Sequence, residues 1–279
     1  MQLTAHGLRL VHESEATRVW EPGPLAVGVA QERTIRVPGV ATFQVTGGSR
    51  VSISGADGAD PVEVRASLEG RVTAALLQQR GTLPLHLAAV VVRDQAIGFV
   101  GPPGSGKSSL ACAMAERGHA LLTDDLAAVT TDVFDRLALH PGPTAMRIWG
   151  SSASQLGWPT DDEHRIKERI DKYAYDLPDR FTDGPKRLAA VYVLREHAGR
   201  AVLIDQVHGI EKFATYFVGA TYNRELLDTP PARAWHFAQV CRIADQVPTF
   251  TLGRQGGELV LDRLAAAVER HAASLLVGV

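Results

Sequence analysis

The chain has 279 residues, of which 29 are basic and 31 are acidic, and the resulting net charge of −2 provides no basic field for non-specific nucleic-acid binding. Hydrophobic residues make up 45% of the sequence and charged residues 22%, a globular composition that excludes wholesale disorder. Two cysteines are too few for a disulfide framework, and no stretch approaches the roughly 18 apolar residues of a membrane span, so we expect a protein of the reducing cytoplasm without a membrane segment.

Residues 1–66 are predicted to form a small β-rich module. Short runs with β-branched residues are separated by turn residues such as Pro38-Gly39 and Gly47-Gly48, a pattern typical of an antiparallel meander. The predicted strands are Arg33–Val37, Ala41–Val45 and Arg50–Ile53.

The periodicity of the sequence changes after this module. Apolar residues at helical spacing predict a helix over Ala66–Gln79, which Gly81 and Pro84 bring to an end. The apolar face of this helix contains Leu68, Val72, Ala75 and Leu76. We therefore divide the chain into the N-terminal module, a connecting helix over 67–84 and a larger domain over 85–279.

From Leu85 onward, strands and helices alternate, which indicates the α/β class. Leu85–Val92 and Ala96–Val100 predict a β-hairpin, a helix follows over Lys107–Arg117, and His119–Thr123 predicts the next strand. Further strands are predicted at Leu188–Leu194 and 201–206, and helices at 211–227, 231–246 and 258–275. The polar segment 160–184 and the segment 246–257 give the weakest patterns.

Residues 101–108, GPPGSGKS, match the phosphate-binding motif G-x-x-x-x-G-K-[ST] at every fixed position. The motif follows an apolar strand and precedes a helix, so backbone N–H groups and the helix N-terminus can surround an anion. In this motif Lys107 binds the β- and γ-phosphates, and the Ser108 hydroxyl binds Mg²⁺. The predicted nucleoside triphosphate site consists of Gly101, Gly104, Ser105, Gly106, Lys107, Ser108 and Ser109.

Two adjacent carboxylates, Asp124 and Asp125, end the strand that follows the P-loop helix. Parallel strands of a β-α-β unit end at the same edge of the sheet, so we expect this pair beside the P-loop. One carboxylate can coordinate Mg²⁺ while the other accepts a proton from an attacking hydroxyl. A polar pair that only ends the strand and caps a turn is the alternative.

His86 begins the strand before the predicted hairpin turn. If the turn is centred on Asp94, His86 lies eight residues before it and Pro102 eight residues after it, which brings His86 level with the start of the P-loop. Either His86 contacts a phosphate or carboxylate of the site, or backbone groups at the sheet end satisfy it. Further candidates for phosphate or substrate contacts, each of which could instead be a structural or solvated charge, are Arg147 and Lys172 on predicted strands and Arg224 on a predicted helix.

The segment 85–129 resembles the catalytic core of the HPr kinase/phosphorylase family. The resemblance is carried by the histidine before the hairpin, the P-loop, the run Arg117-Gly118-His119 and the paired aspartates seventeen and eighteen residues after Lys107. A weaker resemblance over roughly 140–250, in DKYAYDL, LAAVYVL and TYNRELLD, is to the shorter HPr-kinase-like proteins of lasso-peptide gene clusters.

This resemblance implies a P-loop core of the HPr kinase and PEP-carboxykinase type with a mixed sheet, so that 85–279 would be a P-loop kinase domain. It implies ATP- and Mg²⁺-dependent phosphorylation of a serine hydroxyl on a protein or peptide, such as a ribosomally made precursor peptide. Position by position, Asp124 matches the catalytic base, Lys107 the phosphate-binding lysine and His86 the site histidine. Ser108 and Asp125 match the Mg²⁺ side. A homo-oligomer is compatible with the family.

The motifs alone leave the acceptor open. A small-molecule kinase would use the same P-loop and the same base. A regulatory P-loop NTPase switch would instead need a residue that orients water, whereas a kinase needs a base aimed at a hydroxyl with water excluded.

Overall fold

The computed structural model describes residues 30–131, 134–167, 170–197, 199, 201–222, 224–255 and 260–276. Its strands are β1 (Glu32–Val37), β2 (Ala41–Thr46), β3 (Arg50–Gly55), β4 (Leu83–Leu85), β5 (Ala88–Val92), β6 (Gln95–Val100), β7 (Ala120–Thr123), β8 (Ala127–Thr131), β9 (Leu137–Leu139), β10 (Ala145–Trp149), β11 (Arg165–Lys167), β12 (Ile170–Asp176), β13 (Lys186–His197), β14 (Leu203–Gln206) and β15 (Thr249–Gln255). Its α-helices are α1 (Pro61–Ser67), α2 (Thr73–Gln79), α3 (Lys107–Glu116), α4 (Gly150–Gln155), α5 (Gly209–Ala214), α6 (Pro230–Gln246) and α7 (Leu261–Leu275). Short π-helical turns lie at Leu68–Val72 and Thr215–Gly219, and 3₁₀ helices lie at Pro178–Arg180 and Arg224–Leu226.

The first three strands form the predicted antiparallel meander, in which β1 pairs with β2 and β2 with β3. This sheet packs against the helical segment that follows it. The residues predicted as the apolar face of that segment, Leu68, Val72, Ala75 and Leu76, all lie in the core that it shares with the sheet. Residues 1–29 of the predicted N-terminal module lie outside the described residues.

The helical segment begins at Pro61, five residues before the predicted start at Ala66. The Asp60 carboxylate caps it by accepting a hydrogen bond from the backbone N–H of Val62, and proline suits the first turn because it has no N–H to satisfy. The predicted connecting helix thus starts earlier than expected and belongs to the core that it shares with the N-terminal sheet. The domain limits at 66 and 84 stay a prediction.

The centre of the molecule is a mixed sheet in the order β4-β8-β9-β13-β6-β5-β7, to which β15 and then β14 are added beside β13. β6, β13 and β15 run parallel, whereas β5 is antiparallel to both β6 and β7. β6 and β7 consequently run in the same direction with β5 between them, and their carboxyl ends lie at one edge of the sheet. The α/β class and the mixed sheet are confirmed; the HPr kinase type of the core stays a proposal.

Helices cover both faces of this sheet. On one face α3 and α7 pack through residues such as Leu110 and Val268, and the fully buried Cys112 of α3 lies in the same layer. On the other face, α6 and the π-helical turn Thr215–Gly219 pack through Val240 and Tyr216, while Cys241 of α6 is half-buried. Among the described residues, none of these helices combines the length and the apolar character needed to cross a lipid bilayer.

A separate antiparallel sheet in the order β10-β12-β11 stands beside the P-loop. One of its faces is buried against the α3 layer through Met146, Ile148, Tyr173 and Tyr175. Because side chains alternate along a strand, Arg147, Trp149 and Lys172 lie on the opposite face, which lines a cleft above the P-loop. The predicted strand positions of Arg147 and Lys172 are therefore confirmed.

The helix predicted over 211–227 is too long, because the helical turns end at Gly219. The next residues pair with the sheet instead: the His86 N–H donates to the Ala220 carbonyl at 2.8 Å, and Thr221 forms a β-bridge with Leu85. Arg224, predicted on that helix, starts a 3₁₀ helix instead, and Asn223 lies outside the described residues.

The segments with weak sequence patterns contain strands. The polar segment 160–184 holds β11 and β12, and the segment 246–257 holds β15, which pairs in parallel with β13. The helix predicted over 258–275 is α7 (Leu261–Leu275), and positions 258 and 259 of the prediction lie outside the described residues. β15 depends on partners that lie far away in the sequence, which a local pattern does not include, whereas β11 pairs with β12, the strand that follows it.

Candidate active site

The loop between β6 and α3 connects a strand to a helix as the phosphate-binding motif requires. Gly104 and Gly106 have φ values of 80° and 98°, in the left-handed region that glycine adopts without steric cost. The first N–H groups of α3 have no acceptor within the helix, and no side chain caps its start. The loop therefore presents N–H donors at the positive end of a helix, which suits an anion.

Lys107 is the first residue of α3, and its ammonium group is held inside the loop. Nζ donates to the carbonyl oxygens of Gly101 at 2.9 Å and Pro102 at 3.4 Å, and the residue is only 8% exposed. Burial lowers the pKa of Lys107, whereas the nearby Asp124 and Asp125 act against that shift. Since its hydrogen-bond acceptors are neutral carbonyls, the lysine can bind a phosphate without giving up a direct ion pair.

Asp124 lies at the end of β7 and is joined to the P-loop helix. Its Oδ1 accepts a hydrogen bond of 2.7 Å from the Ser108 hydroxyl, and its Oδ2 accepts one of 3.3 Å from the backbone N–H of Arg147. The residue is 8% exposed, and burial raises its pKa. The sheet edge thus brings Asp124 beside the P-loop as predicted, although β5 lies between the two parallel strands.

Asp125 turns away from Asp124 and contacts a different set of side chains. Its φ of 74° takes the chain out of the strand direction. Oδ1 lies 3.5 Å from His86 Nε2, and Oδ2 accepts a hydrogen bond of 3.0 Å from the Tyr222 hydroxyl. Burial lowers the pKa of His86, and the neighbouring Asp125 opposes that shift. The Asp125 side chain remains 42% exposed, so this carboxylate is the more accessible of the pair.

His86 lies at the P-loop because of the β5–β6 hairpin. Its turn is the two-residue Arg93-Asp94, in which both residues have positive φ, the geometry of a type I′ turn. The pairing of β5 with β6 ends at Ala88 opposite Phe99, and the same register carried two residues further corresponds to Gly101 for His86, one residue before the predicted Pro102. The prediction that His86 begins this strand is wrong, because β5 starts at Ala88 and the His86 N–H donates to the Ala220 carbonyl instead. The predicted proximity to the loop is confirmed, since His86 lines the same cleft as Gly104 and Lys107.

These groups converge on a cleft of about 160 Å³. It is lined by His86, Pro103, Gly104, Gly106, Lys107, Ser108, Ser109, Asp124, Asp125, Arg147, Ile148, Trp149 and Lys172. Gly101 and Ser105 lie in the loop but do not line the cleft, and the exposed Arg224 lies elsewhere. The cleft therefore unites the loop lysine and hydroxyl, both carboxylates and the histidine, together with two of the three basic residues singled out in the sequence.

Two predicted contacts have additional structural partners. The Ser109 hydroxyl donates to Ser152 Oγ at 2.7 Å inside the protein, so this hydroxyl is directed at α4. The Arg147 guanidinium donates to the Glu69 carboxylate at 2.6 Å. Ser109 therefore lines the cleft while its hydroxyl is bound inside the protein. Arg147 also lines the cleft, but its guanidinium is bound to Glu69.

Three side chains at the site were not identified from the sequence. Tyr222 belongs to the run TYNRELLD without a predicted role, and no sequence motif points to Glu69 or Trp149 as a site residue. Glu69 lies in the π-helical turn and Tyr222 follows the β-bridge, so both reach the site through contacts between remote segments. Trp149 occupies the cleft-facing side of β10, alternating with the buried Ile148, and that alternation was the one local signal available.

Comparison with known proteins does not identify the family of this chain. No protein-family model matches the sequence, and no curated protein matches it. Among solved structures, that of the Hpr(Ser) kinase/phosphatase from Coxiella burnetii is similar over 69% of this chain and 92% of its own chain, with 12% sequence identity and a TM-score of 0.39. A TM-score this low does not establish a common fold, so the family resemblance in the sequence stays a prediction.

Proposed function

We propose that this chain is a kinase that transfers the γ-phosphoryl group of ATP, with Mg²⁺, to a serine hydroxyl of a protein or peptide. The observation that carries the proposal is the cleft in which Lys107, Ser108, Asp124 and Asp125 converge. The lysine and the helix N-terminus can bind phosphates, and a hydroxyl together with a carboxylate can bind Mg²⁺. The second carboxylate can act as the proton acceptor. Groups suited to these three tasks line one cleft, and this supports the proposal.

The loop residues fit a bound polyphosphate. Gly104 has a left-handed backbone and open space where a side chain would project, so an anion can approach the backbone closely. When bound, Mg·ATP supplies the phosphoryl group and the metal charge that stabilises its transfer.

The contacts favour a division of roles between the aspartates that reverses the one predicted from the sequence. Asp124 is buried and bound to Ser108, the hydroxyl that faces Mg²⁺ in this motif, so we assign Asp124 to the metal side. Asp125 is more exposed and lies beside His86, so we assign it as the base that accepts the proton of the serine hydroxyl. Their adjacency in the sequence gave no means of distinguishing them.

Lys172 is the basic residue best placed to bind the transferred phosphoryl group. It lines the cleft on the wall opposite the P-loop, and its charge acts on Lys107, His86 and Asp124. Arg147 lines the same wall, but its guanidinium is bound to Glu69. We therefore assign electrostatic stabilisation of the developing charge to Lys172 together with Lys107.

The serine acceptor rests on the sequence resemblance, which also suggests a ribosomally made precursor peptide. The cleft geometry is equally suited to a small hydroxylic substrate, and a water molecule at Asp125 would make the chain an NTPase switch. The three readings differ in where the γ-phosphoryl group ends: on a peptide serine, on a small molecule, or as inorganic phosphate.

Incubation with γ-labelled ATP and Mg²⁺, with and without serine-containing peptides encoded near the gene, tests the proposal. Mg²⁺-dependent label on a peptide serine supports it, and Lys107→Ala serves as the inactive control. Release of label only as inorganic phosphate would support the switch instead.

Melting is measured in parallel, because a nucleotide at a hundredfold excess over Kd stabilises the folded state by about 2.7 kcal/mol. If Mg²⁺ with ATP or ADP produces no such shift, the nucleotide site itself is wrong.

A further inference from the structure

The helix before β4 is interrupted by the π-helical turn Leu68–Val72, which lies behind residues that line or support the cleft. Its first and last residues pack into the core that is shared with the N-terminal sheet. Glu69 instead pairs with the cleft residue Arg147, and Gly70 lies against the hydroxyl of Tyr222, which binds the cleft residue Asp125. A π-helical turn adds one residue to a helix and occurs frequently at functional sites. Here the turn places Glu69 against Arg147, which binds Asp124, and Gly70 against Tyr222, which binds Asp125.

Glu69 is connected to Asp124 through Arg147. The Glu69 side chain is 5% exposed, and its two oxygens accept hydrogen bonds from Arg65 Nε at 2.7 Å and Arg147 Nη2 at 2.6 Å. A carboxylate so deeply buried requires such cationic partners. The backbone N–H of the same Arg147 donates to Asp124 Oδ2. Glu69 therefore anchors the residue whose N–H holds Asp124.

Gly70 is connected to Asp125 through Tyr222. A Cβ atom at position 70 would lie 2.6 Å from the Tyr222 hydroxyl oxygen, far closer than van der Waals contact allows. That hydroxyl donates to Asp125 Oδ2 at 3.0 Å, and the tyrosine ring stacks on His86 with 5.6 Å between the ring centroids. The missing side chain at position 70 therefore leaves the space in which the hydroxyl reaches Asp125.

We propose that the π-helical turn Leu68–Val72 positions both acidic side chains of the cleft. Asp124 is held through Glu69, and Asp125 is held through Tyr222. Glu69 and Tyr222 are positioning residues, since each acts on the reaction through another side chain or backbone group. The consequence for phosphoryl transfer rests on the proposed function, whereas the contacts do not depend on it.

The Tyr222 branch is tested by a double-mutant cycle. We expect Tyr222→Phe to lower kcat about tenfold, the effect of one hydrogen bond to a charged group, with KM for ATP unchanged because the P-loop is intact. Gly70→Ala should lower kcat similarly, and the double variant should lose no more than either single variant, since both act through one hydroxyl. Tyr192→Phe, which removes a buried hydroxyl bonded to His271 away from the cleft, is the matched control and should retain kcat.

The turnover measured in this cycle is transfer to the acceptor peptide or, where no peptide is labelled, hydrolysis of Mg·ATP. Additive losses in the double variant, or a rise in KM in place of the fall in kcat, would overturn the Tyr222 branch. A wild-type kcat in Tyr222→Phe would overturn it as well.

The Glu69 branch is tested by binding, which requires no catalysis. We expect Glu69→Gln to raise the Mg²⁺ concentration for half-maximal ADP binding several-fold, because Asp124 on the metal side loses its support. Glu269→Gln removes a carboxylate that is paired with Arg117 and His119, and as the matched control it should leave the Mg²⁺ requirement unchanged. Equal Mg²⁺ requirements in wild type and Glu69→Gln would overturn this branch.

The Tyr222 branch and the Glu69 branch use different variants. If a variant of one branch fails to fold, the other branch still tests the proposal. If wild type binds Mg·ADP but neither transfers nor hydrolyses the γ-phosphoryl group, the proposed function is wrong, and the Mg²⁺ dependence of Glu69→Gln still decides the positioning role. If wild type binds no Mg·ADP, both the proposed function and this inference are wrong.

Discussion

The Ser108 hydroxyl donates a hydrogen bond of 2.7 Å to the Asp124 carboxylate, joining the first turn of α3 to the end of β7 across sixteen residues of sequence. Both groups lie at the carboxyl edge of the central sheet, where the P-loop also begins. The contact connects a hydroxyl expected at Mg²⁺ with one of two adjacent carboxylates, and it leaves the other free to contact His86 and Tyr222. The two carboxylates should consequently be separable by mutation.

Asp124→Asn and Asp125→Asn are expected to impair the reaction in different ways. Asp124→Asn should raise the Mg²⁺ concentration needed for half-maximal rate, because a carboxylate beside the metal loses its charge. Asp125→Asn should retain Mg·ATP binding but lower the rate by about 10²–10⁴-fold, the usual contribution of a positioned base. The rate is measured against Mg²⁺ concentration for both variants.

Asp94→Asn, an exposed aspartate paired with Lys186, serves as the control for the pair and should behave as wild type. Exchanged phenotypes would restore the division of roles predicted from the sequence. Normal transfer in both variants would contradict the kinase mechanism.

Lys107→Ala should abolish transfer and weaken ATP binding, because it removes the one cation held inside the loop beside the expected phosphates. Calorimetric titration with Mg·ATP measures the affinity. Lys186→Ala removes a lysine of the protein surface that pairs with Asp94, and it should leave the affinity unchanged. Wild-type affinity in Lys107→Ala would mean that the glycine-rich loop has a structural role alone.

The neighbouring serines Ser108 and Ser109 should respond differently to alanine substitution. Ser109→Ala leaves the Ser152 hydroxyl buried without its partner, so we expect the free energy of unfolding to fall by about 1–3 kcal/mol. Ser108→Ala should instead raise the Mg²⁺ requirement of the reaction with a smaller loss of stability, because Ser108 is partly exposed to the cleft. Urea unfolding and Mg²⁺ titration of both variants check the prediction; a similar Mg²⁺ requirement in the two variants would contradict it.

His236 should make the protein less stable in mild acid. The residue is 1% exposed, its Nε2 lies 2.9 Å from Thr221 Oγ1, and burial lowers its pKa to about 4. An unfolded histidine binds a proton near pH 6.5, so between about pH 6.5 and 4 the unfolded state holds more protons and the free energy of unfolding falls as the pH falls.

The variant that tests this effect is His236→Gln, which removes the titrating group. Between pH 7 and 5 it should lose about 2 kcal/mol less stability than wild type, as measured by urea unfolding at the two pH values. His208→Gln, the same substitution at an exposed histidine, is measured alongside it as the control. An unchanged pH dependence in His236→Gln would refute the prediction.

The parts of the site that the sequence predicts are those with local causes. The glycine-rich loop, the helix after it and the Arg93-Asp94 turn each depend on residues within one short segment, and together they place His86, Lys107 and Ser108. The position of the aspartates follows from one further step, since parallel strands end at the same edge of a sheet. These features could be worked out without knowledge of any remote contact.

The parts that the sequence does not predict depend on remote contacts or on a single backbone angle. Tyr222 reaches Asp125 because the chain forms a β-bridge with Leu85 instead of continuing the predicted helix. Glu69 reaches Arg147 across 78 residues. The different surroundings of the two aspartates follow from the positive φ of Asp125, which no pattern of neighbouring residues indicated.

Because Cys112 is buried, thiol labelling of this residue can measure how often α3 separates from the sheet. The side chain is fully covered in the layer beneath the sheet, and burial raises the pKa of its thiol well above the ordinary value, so a reagent can react with it only after α3 separates from its neighbours. Its alkylation rate therefore reports how often the helix that carries Lys107 and Ser108 opens. The half-buried Cys241 on α6 offers an internal reference for the same reagent.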